Sequence, residues 1–199
     1  MTKNKVAIFV ALLLVIDQIV KFIVKLSMTV NQSINVFGEW CQIRFIENPG
    51  AAYGMQLGGD YGKLILSIFR ILLVVALIVY IFKLVKKKAP TGAIIGCSMV
   101  LAGALGNIID GVFYGAIFSE STYNSVATLF PAGGGYSSLM HGNVVDMFYF
   151  PLIRGFFPDW FPFWGGEPFE FFRPIFNVAD SYISVGIVYL IIFQRKIFE

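Results

Sequence analysis

Four aspartates stand where a carboxylate is expensive. Asp17, Asp110 and Asp180 lie inside or against the same ends of three long apolar runs, and Asp146 lies in a further apolar stretch. A carboxylate in hydrocarbon marks a position that faces a bundle interior or a watery site, so function is sought at these four residues. Three of them close an Asn-x-x-Asp unit, Asn107 with Asp110, Asn143 with Asp146 and Asn177 with Asp180. Two carboxylates brought together cannot both ionise cheaply; they share one proton, and one then serves as base and the other as acid, as in aspartic proteases. A proton- or cation-coupled transporter also uses membrane carboxylates. Against it, the polar residues cluster at one face and four spans give few helices for alternating access. Asp17 and Lys21, spaced i, i+4, share one helix face and partly neutralise each other, which gives that pair a structural reading beside the functional one.

Other chemistries find little support. Cys41 and Cys97 fall in a loop and a span, too far apart by topology to pair, so two free thiols are expected. The one histidine, His141, could be approached only by Cys41, and a Cys-His nucleophile is not favoured. No H-E-x-x-H or C-x-x-C spacing is present, and neither a metal nor another cofactor is expected. The net charge of +3 gathers in groups flanking the apolar runs, which reads as a topology signal and gives no reason to invoke nucleic acid.

The elements that must position the aspartates are membrane helices. With 57% hydrophobic and 14% charged residues and a mean hydropathy of +0.76, the chain has too little polar surface for a soluble fold of its 199 residues. Runs long enough to cross roughly 30 Å of hydrocarbon occur at about 6–24, 64–84, 91–109 and 178–193, the last extending backward through Phe176 to give about 176–194. The first run holds Asp17 and Lys21 and is followed by no A-x-A site, so it reads as a retained span rather than a cleaved signal. Lys3 and Lys5, then Lys83, Lys86, Lys87 and Lys88, then Arg195 and Lys196 fall on one side, the cytoplasm, with both termini. Residues 25–63 and 111–175 are then external, and the chain reads as one domain over 1–199.

The first external segment mixes β-branched, aromatic and polar residues, as in Trp40 to Ile46, and predicts a small sheet lying on the membrane surface. It ends in Glu47-Asn48-Pro49-Gly50-Ala51-Ala52-Tyr53-Gly54, either an ordinary turn or a place where small residues let another chain approach the backbone. The second runs from a Gly-rich polar stretch, about 118–142, into Phe156-Phe157-Pro158-Asp159-Trp160-Phe161-Pro162-Phe163-Trp164. Such aromatic density suits the headgroup boundary, as an anchor or as a substrate contact.

Taken together, Asp17-Gln18-x-x-Lys21, Asn48-x-Gly50-Ala51-Ala52-Tyr53-Gly54, Gly106-Asn107-x-x-Asp110, Val144-Val145-Asp146 and Phe176-Asn177-x-Ala179-Asp180 resemble, in order, the motifs of bacterial lipoprotein signal peptidase, signal peptidase II. The resemblance implies a four-helix aspartyl endopeptidase of the bacterial inner membrane. Such an enzyme cuts the signal peptide from a prolipoprotein just before its diacylglyceryl-modified cysteine. By motif, Asp146 and Asp180 would be the catalytic dyad, holding a water between them. Asn48, Gly50, Asn107, Asp110, Asn177 and Ala179 would line or support the site, and Asp17 and Lys21 would brace it from the first helix. The first external segment would form a cradle-like sheet beside the site, and part of the second would cover it.

The chain departs from the family pattern at Gly111, where Gly-Asn-x-x-Asp-Arg would place an arginine near the substrate; Arg154 and Arg173 are the replacements considered. The 35 residues between Asp110 and Asp146 are longer than the usual connection, with a lid, a partner surface or a tolerated insertion as readings. Met147 and Tyr53 replace phenylalanines and conserve bulk. The expectation is an all-α membrane protein, four transmembrane helices carrying a small external β-sheet cradle and an aromatic-rich lobe. It acts as a monomeric prolipoprotein peptidase in contact with lipid, its site near the external face. A transporter or a non-catalytic lipid-binding protein is the alternative.

Overall fold

The computed structural model describes residues 1–49 and 59–195, with the backbone alone for 59–61 and 63. Helix α1 (Lys3–Ser27) begins at Thr2, whose hydroxyl accepts from the Lys5 amide at 3.4 Å. Its buried face carries Val6, Val10, Asp17, Lys21, Val24 and Lys25, while Ile8, Leu12, Ile16, Ile19 and Ile23 point outward. Charge inside and hydrocarbon outside inverts the pattern of a soluble helix and suits an apolar surrounding. Helix α2 (Gly59–Lys86) and helix α3 (Thr91–Ile109) follow, and α3 continues through a π-helical turn, Asp110–Tyr114, and a short turn, Gly115–Ile117. These three helices are long and apolar enough to cross a membrane.

Helix α4 (Val178–Phe193) is apolar but has only 16 residues, shorter than the span expected from Phe176. The reason is local. Asn177 accepts from the Asp180 amide and the Asp180 carboxylate accepts from the Asn177 amide, a capping box that fixes the helix start at Val178. The two residues before the cap, Ile175 and Phe176, instead pair with a strand. Helix α3 packs on the other three helices. It approaches α4 and α1 through glycines: a Cβ at Gly103 would run into the Ala179 carbonyl, and one at Gly106 into the Asp17 carboxylate.

The expected external sheet is present and is larger than a local hairpin: the described residues hold six strands in two sheets. Strands β1 (Ser33–Phe37) and β2 (Cys41–Asn48) form the hairpin anticipated in the first segment. The same antiparallel sheet, ordered β1-β2-β3-β6, then takes β3 (Val144–Tyr149) and β6 (Ile175–Phe176) from the second segment. Strand β3 is buried along almost its whole length, which is why Asp146 sits in an apolar run. Val145 and Met147 pack with Phe45, Tyr114, Phe118 and Ala127. Strands β4 (Ile153–Phe156) and β5 (Pro168–Phe171) make a separate two-stranded sheet that carries the aromatic lobe. There Phe157 stacks against Phe161 at 5.0 Å and meets Phe169 at a tilt, 5.1 Å between ring centres.

Candidate active site

The β2–β3 ladder sets Asp146 opposite Ile46 and Asn48 opposite Val144, so the Asn48 side chain reaches along the sheet to donate to Asp146 Oδ2 at 3.1 Å. The other oxygen, Oδ1, accepts from Asn177 Nδ2 at 2.7 Å. Asn177 is the cap of α4, so the bond ties the Asp146 strand to the helix that carries Asp180. Asn107 on α3 closes the arrangement. Its Nδ2 donates to Asp180 Oδ1 at 2.8 Å, and its Oδ1 accepts from Asn177 Nδ2 at 3.1 Å and from Lys21 Nζ at 3.0 Å. Asp146 and Asp180, far apart in sequence, thus share one network of amides.

Behind it lies a charged layer with no exposure. Lys21 Nζ is 3.0 Å from Asp17 Oδ2 and 2.8 Å from Asp110 Oδ2. Each carboxylate has a further duty: Asp17 Oδ1 accepts from the Ala179 amide at 2.9 Å and Asp110 Oδ2 from the Val145 amide at 3.3 Å. Gln18 Nε2 bridges the two at 3.1 Å each, and the Tyr114 hydroxyl donates to Gln18 Oε1 at 3.0 Å. Asp17 and Lys21 therefore act through the backbones next to Asp180 and Asp146, and Ala179 contributes its amide rather than its side chain. Asp146 is 4% exposed, and burial first, then the neighbouring Asp180 charge, raise its pKa from the ordinary 3.8 to about 7 against the opposing donors Asn48 and Asn177.

The residues singled out by spacing are mostly brought together. Asn107 and Asp110 meet on Lys21, and Asn177 and Asp180 bond directly. In the third unit Asn143 immediately precedes β3, and its Nδ2 donates to Glu47 Oε2 at 3.1 Å. Gly50, with Ala51 to Gly54, lies outside the described residues. Arg154 and Arg173 both turn to Glu170, at 3.1 Å and 3.9 Å, with side chains 50% and 80% exposed. Beside Gly111 there is open space, with nothing among the described residues within 4 Å of an added Cβ.

What the sequence reading missed is Arg70. On α2 it follows Ser67, whose hydroxyl donates to the Met140 carbonyl at 3.4 Å, and precedes buried Val74, so it lies on the inward stripe of that helix. Its guanidinium is near enough to Asp180 for the two charges to attract. An arginine inside an apolar run was the available signal. His141 Nδ1 turns to Ser138 Oγ and the Leu139 carbonyl, each at 3.0 Å, and both cysteines are free. Among the described residues, no group of three or more His, Cys, Asp or Glu is placed to hold a metal ion.

Comparison with known proteins gives this geometry a context. The family model for Signal peptidase (SPase) II matches residues 9–196. A lipoprotein signal peptidase of Porphyromonas gingivalis is 53% identical over 188 residues, covering 94% of this chain and 81% of that protein. One from Amoebophilus asiaticus is 35% identical, covering 92% and 75%. A solved bacterial membrane enzyme structure, obtained by the in meso method, superimposes with a TM-score of 0.63 at 25% identity, covering 98% of this chain and 89% of that one. A sheet strand and a capped helix brought together over a buried Asp-Lys-Asp layer are thus features of a chain that belongs to the signal peptidase II family.

Proposed function

We propose that the protein removes the signal peptide from diacylglyceryl-modified prolipoproteins, cutting just before the lipidated cysteine, with Asp146 and Asp180 as its catalytic pair. The observation that carries this reading is the amide network joining those two carboxylates at the sheet end of an apolar bundle. The raised pKa of Asp146 supports it as the proton-bearing member, with Asp180, towards which the Arg70 charge is drawn, as its partner.

In that division of labour a water lies between the two groups. Asp180 takes a proton from the water as its oxygen attacks the scissile carbonyl, while Asp146 gives its proton to the carbonyl oxygen, yielding a neutral tetrahedral diol. The proton held on Asp180 then passes to the leaving nitrogen, the carbon–nitrogen bond breaks, and a diol proton returns to Asp146. Asn48, Asn107 and Asn177 keep the carboxyls oriented, and the Asp17-Lys21-Asp110 layer fixes the backbones that carry them. The enzyme would work in the bacterial cytoplasmic membrane with its site near the external face, where a lipidated peptide presents its cleavage point.

The test is cleavage of a diacylglyceryl-modified prolipoprotein by purified protein under metal chelation. Asp146→Asn and Asp180→Asn are each expected to lower kcat by roughly a hundredfold or more while the variants stay folded. Normal cutting by a folded variant would remove that residue from the pair. No cutting by folded wild type would move weight to a transport or lipid-binding role.

A further inference from the structure

Lys25 lies in the last turn of α1, two residues from its end, where a four-carbon stem could carry its charge out to a polar boundary. It does the opposite. It is fully buried, with Nζ 2.5 Å from Glu47 Oε1 and 3.1 Å from Ser121 Oγ, under the rings of Tyr136 at 5.1 Å and Phe118 at 5.2 Å. Ser121, Tyr136 and Phe118 all belong to the stretch between Asp110 and Asp146. The same stretch takes the other Glu47 oxygen, since Asn143 Nδ2 donates to Oε2 at 3.1 Å. Tyr136 in turn accepts from the Asn143 amide at 2.7 Å.

A buried ion pair adds little net stability over an apolar replacement, because desolvation consumes most of the Coulomb gain; what it does supply is one arrangement in place of several. The arrangement here concerns Asp146. Glu47 is laddered to Val145 and precedes Asn48, the residue that holds Asp146 Oδ2. We propose that Lys25 and Glu47 are positioning residues, through which the 118–143 segment clamps the β2–β3 ladder and sets the place of Asp146. That segment is then a brace for the catalytic strand, built into α1 from one side and into β2 from the other. The inference rests on the peptidase reading for its kinetic consequence and on geometry alone for its structural one.

Two readouts separate the two. Hydrogen exchange of the purified protein, read in peptides covering 144–149, needs no substrate; cleavage of a diacylglyceryl-modified prolipoprotein gives kcat and KM. In the folded double variant Lys25→Met with Glu47→Gln, which strands no charge, exchange in those peptides is expected to quicken. kcat is expected to fall about tenfold or more with KM within about twofold, the pattern of a displaced catalytic group rather than lost binding. If that variant does not fold, Asn143→Ala, which removes the bond to Glu47 Oε2, decides with the same signs at smaller size. Wild-type exchange or wild-type kcat in the folded variant overturns the clamp. Wild-type protein that fails to cut overturns the peptidase reading and leaves the exchange comparison to judge the clamp.

Discussion

Burial removes water from the Asp146 carboxyl, and the Asp180 charge beside it adds to the cost of ionisation, so the proton stays on to about pH 7. In the unfolded chain the group ionises near its ordinary 3.8, so folding is penalised progressively as pH rises from there and fully once pH passes about 7. Asp146→Asn has no proton to lose. Its apparent melting temperature in detergent should therefore fall less than that of wild type between about pH 5 and about pH 8, and parallel declines would mean that Asp146 does not titrate in that window. In the proposed mechanism the same raised pKa places the alkaline limb of the cleavage profile near neutrality, where Asp146 ceases to be an acid. The other buried aspartates differ in kind. Asp17 and Asp110 face the ammonium of Lys21 at salt-bridge distance and each accept from a backbone amide, which marks them as struts.

The helices explain why struts and dyad meet. Stripes three and four residues apart turn Asp17, Lys21 and Lys25 inward on α1, and Ser67, Arg70 and Val74 inward on α2. Of these, only the Asp17–Lys21 pair is legible in the sequence, where two charges inside an apolar run stand out; Lys25 falls at the edge of the expected external segment, and Arg70 has its partner, Asp180, on a helix more than a hundred residues later. The position of Gly111, next to Asp110 on the π turn, drew attention to Arg154 and Arg173, which instead neutralise Glu170. Arg70→Met should lower kcat about tenfold by weakening the hold on Asp180, with Arg70→Lys recovering part of the loss since it restores charge without the planar fork. Equal kcat in Arg70→Met and wild type would show that the attraction carries no catalytic weight. Strands were harder to read than helices. A hairpin such as β1–β2 is local, but β3 joins β2 across about a hundred residues and β6 joins β3 across the whole aromatic lobe, and no periodicity within a short run records its distant partner.

At the scale of the molecule, the segment between Asp146 and Asp180, the proposed catalytic pair, is itself a lobe. The chain leaves β3 after Tyr149, builds the β4–β5 sheet and returns through β6 directly into the Asn177 cap, so the lobe's two stems are the two mounts of the dyad. Its rings pack around Phe157, while Trp160 and Phe163 stay 78% and 97% exposed. In water such exposure is unfavourable. At a bilayer surface each ring could bury on the order of 150 Å², worth several kcal/mol at ~25 cal/mol per Å², and the lobe lies a few residues from the start of α4, at the sheet end of the bundle. Trp160→Ser combined with Phe163→Ser should therefore leave cleavage in detergent within about twofold of wild type, since both rings are largely exposed, and slow it about tenfold in lipid vesicles, where the lobe must settle into the interface. Equal losses in both media would place these rings on the substrate path, whereas unchanged rates in vesicles would leave the exposed aromatics without a role in anchoring the mounts of Asp146 and Asp180.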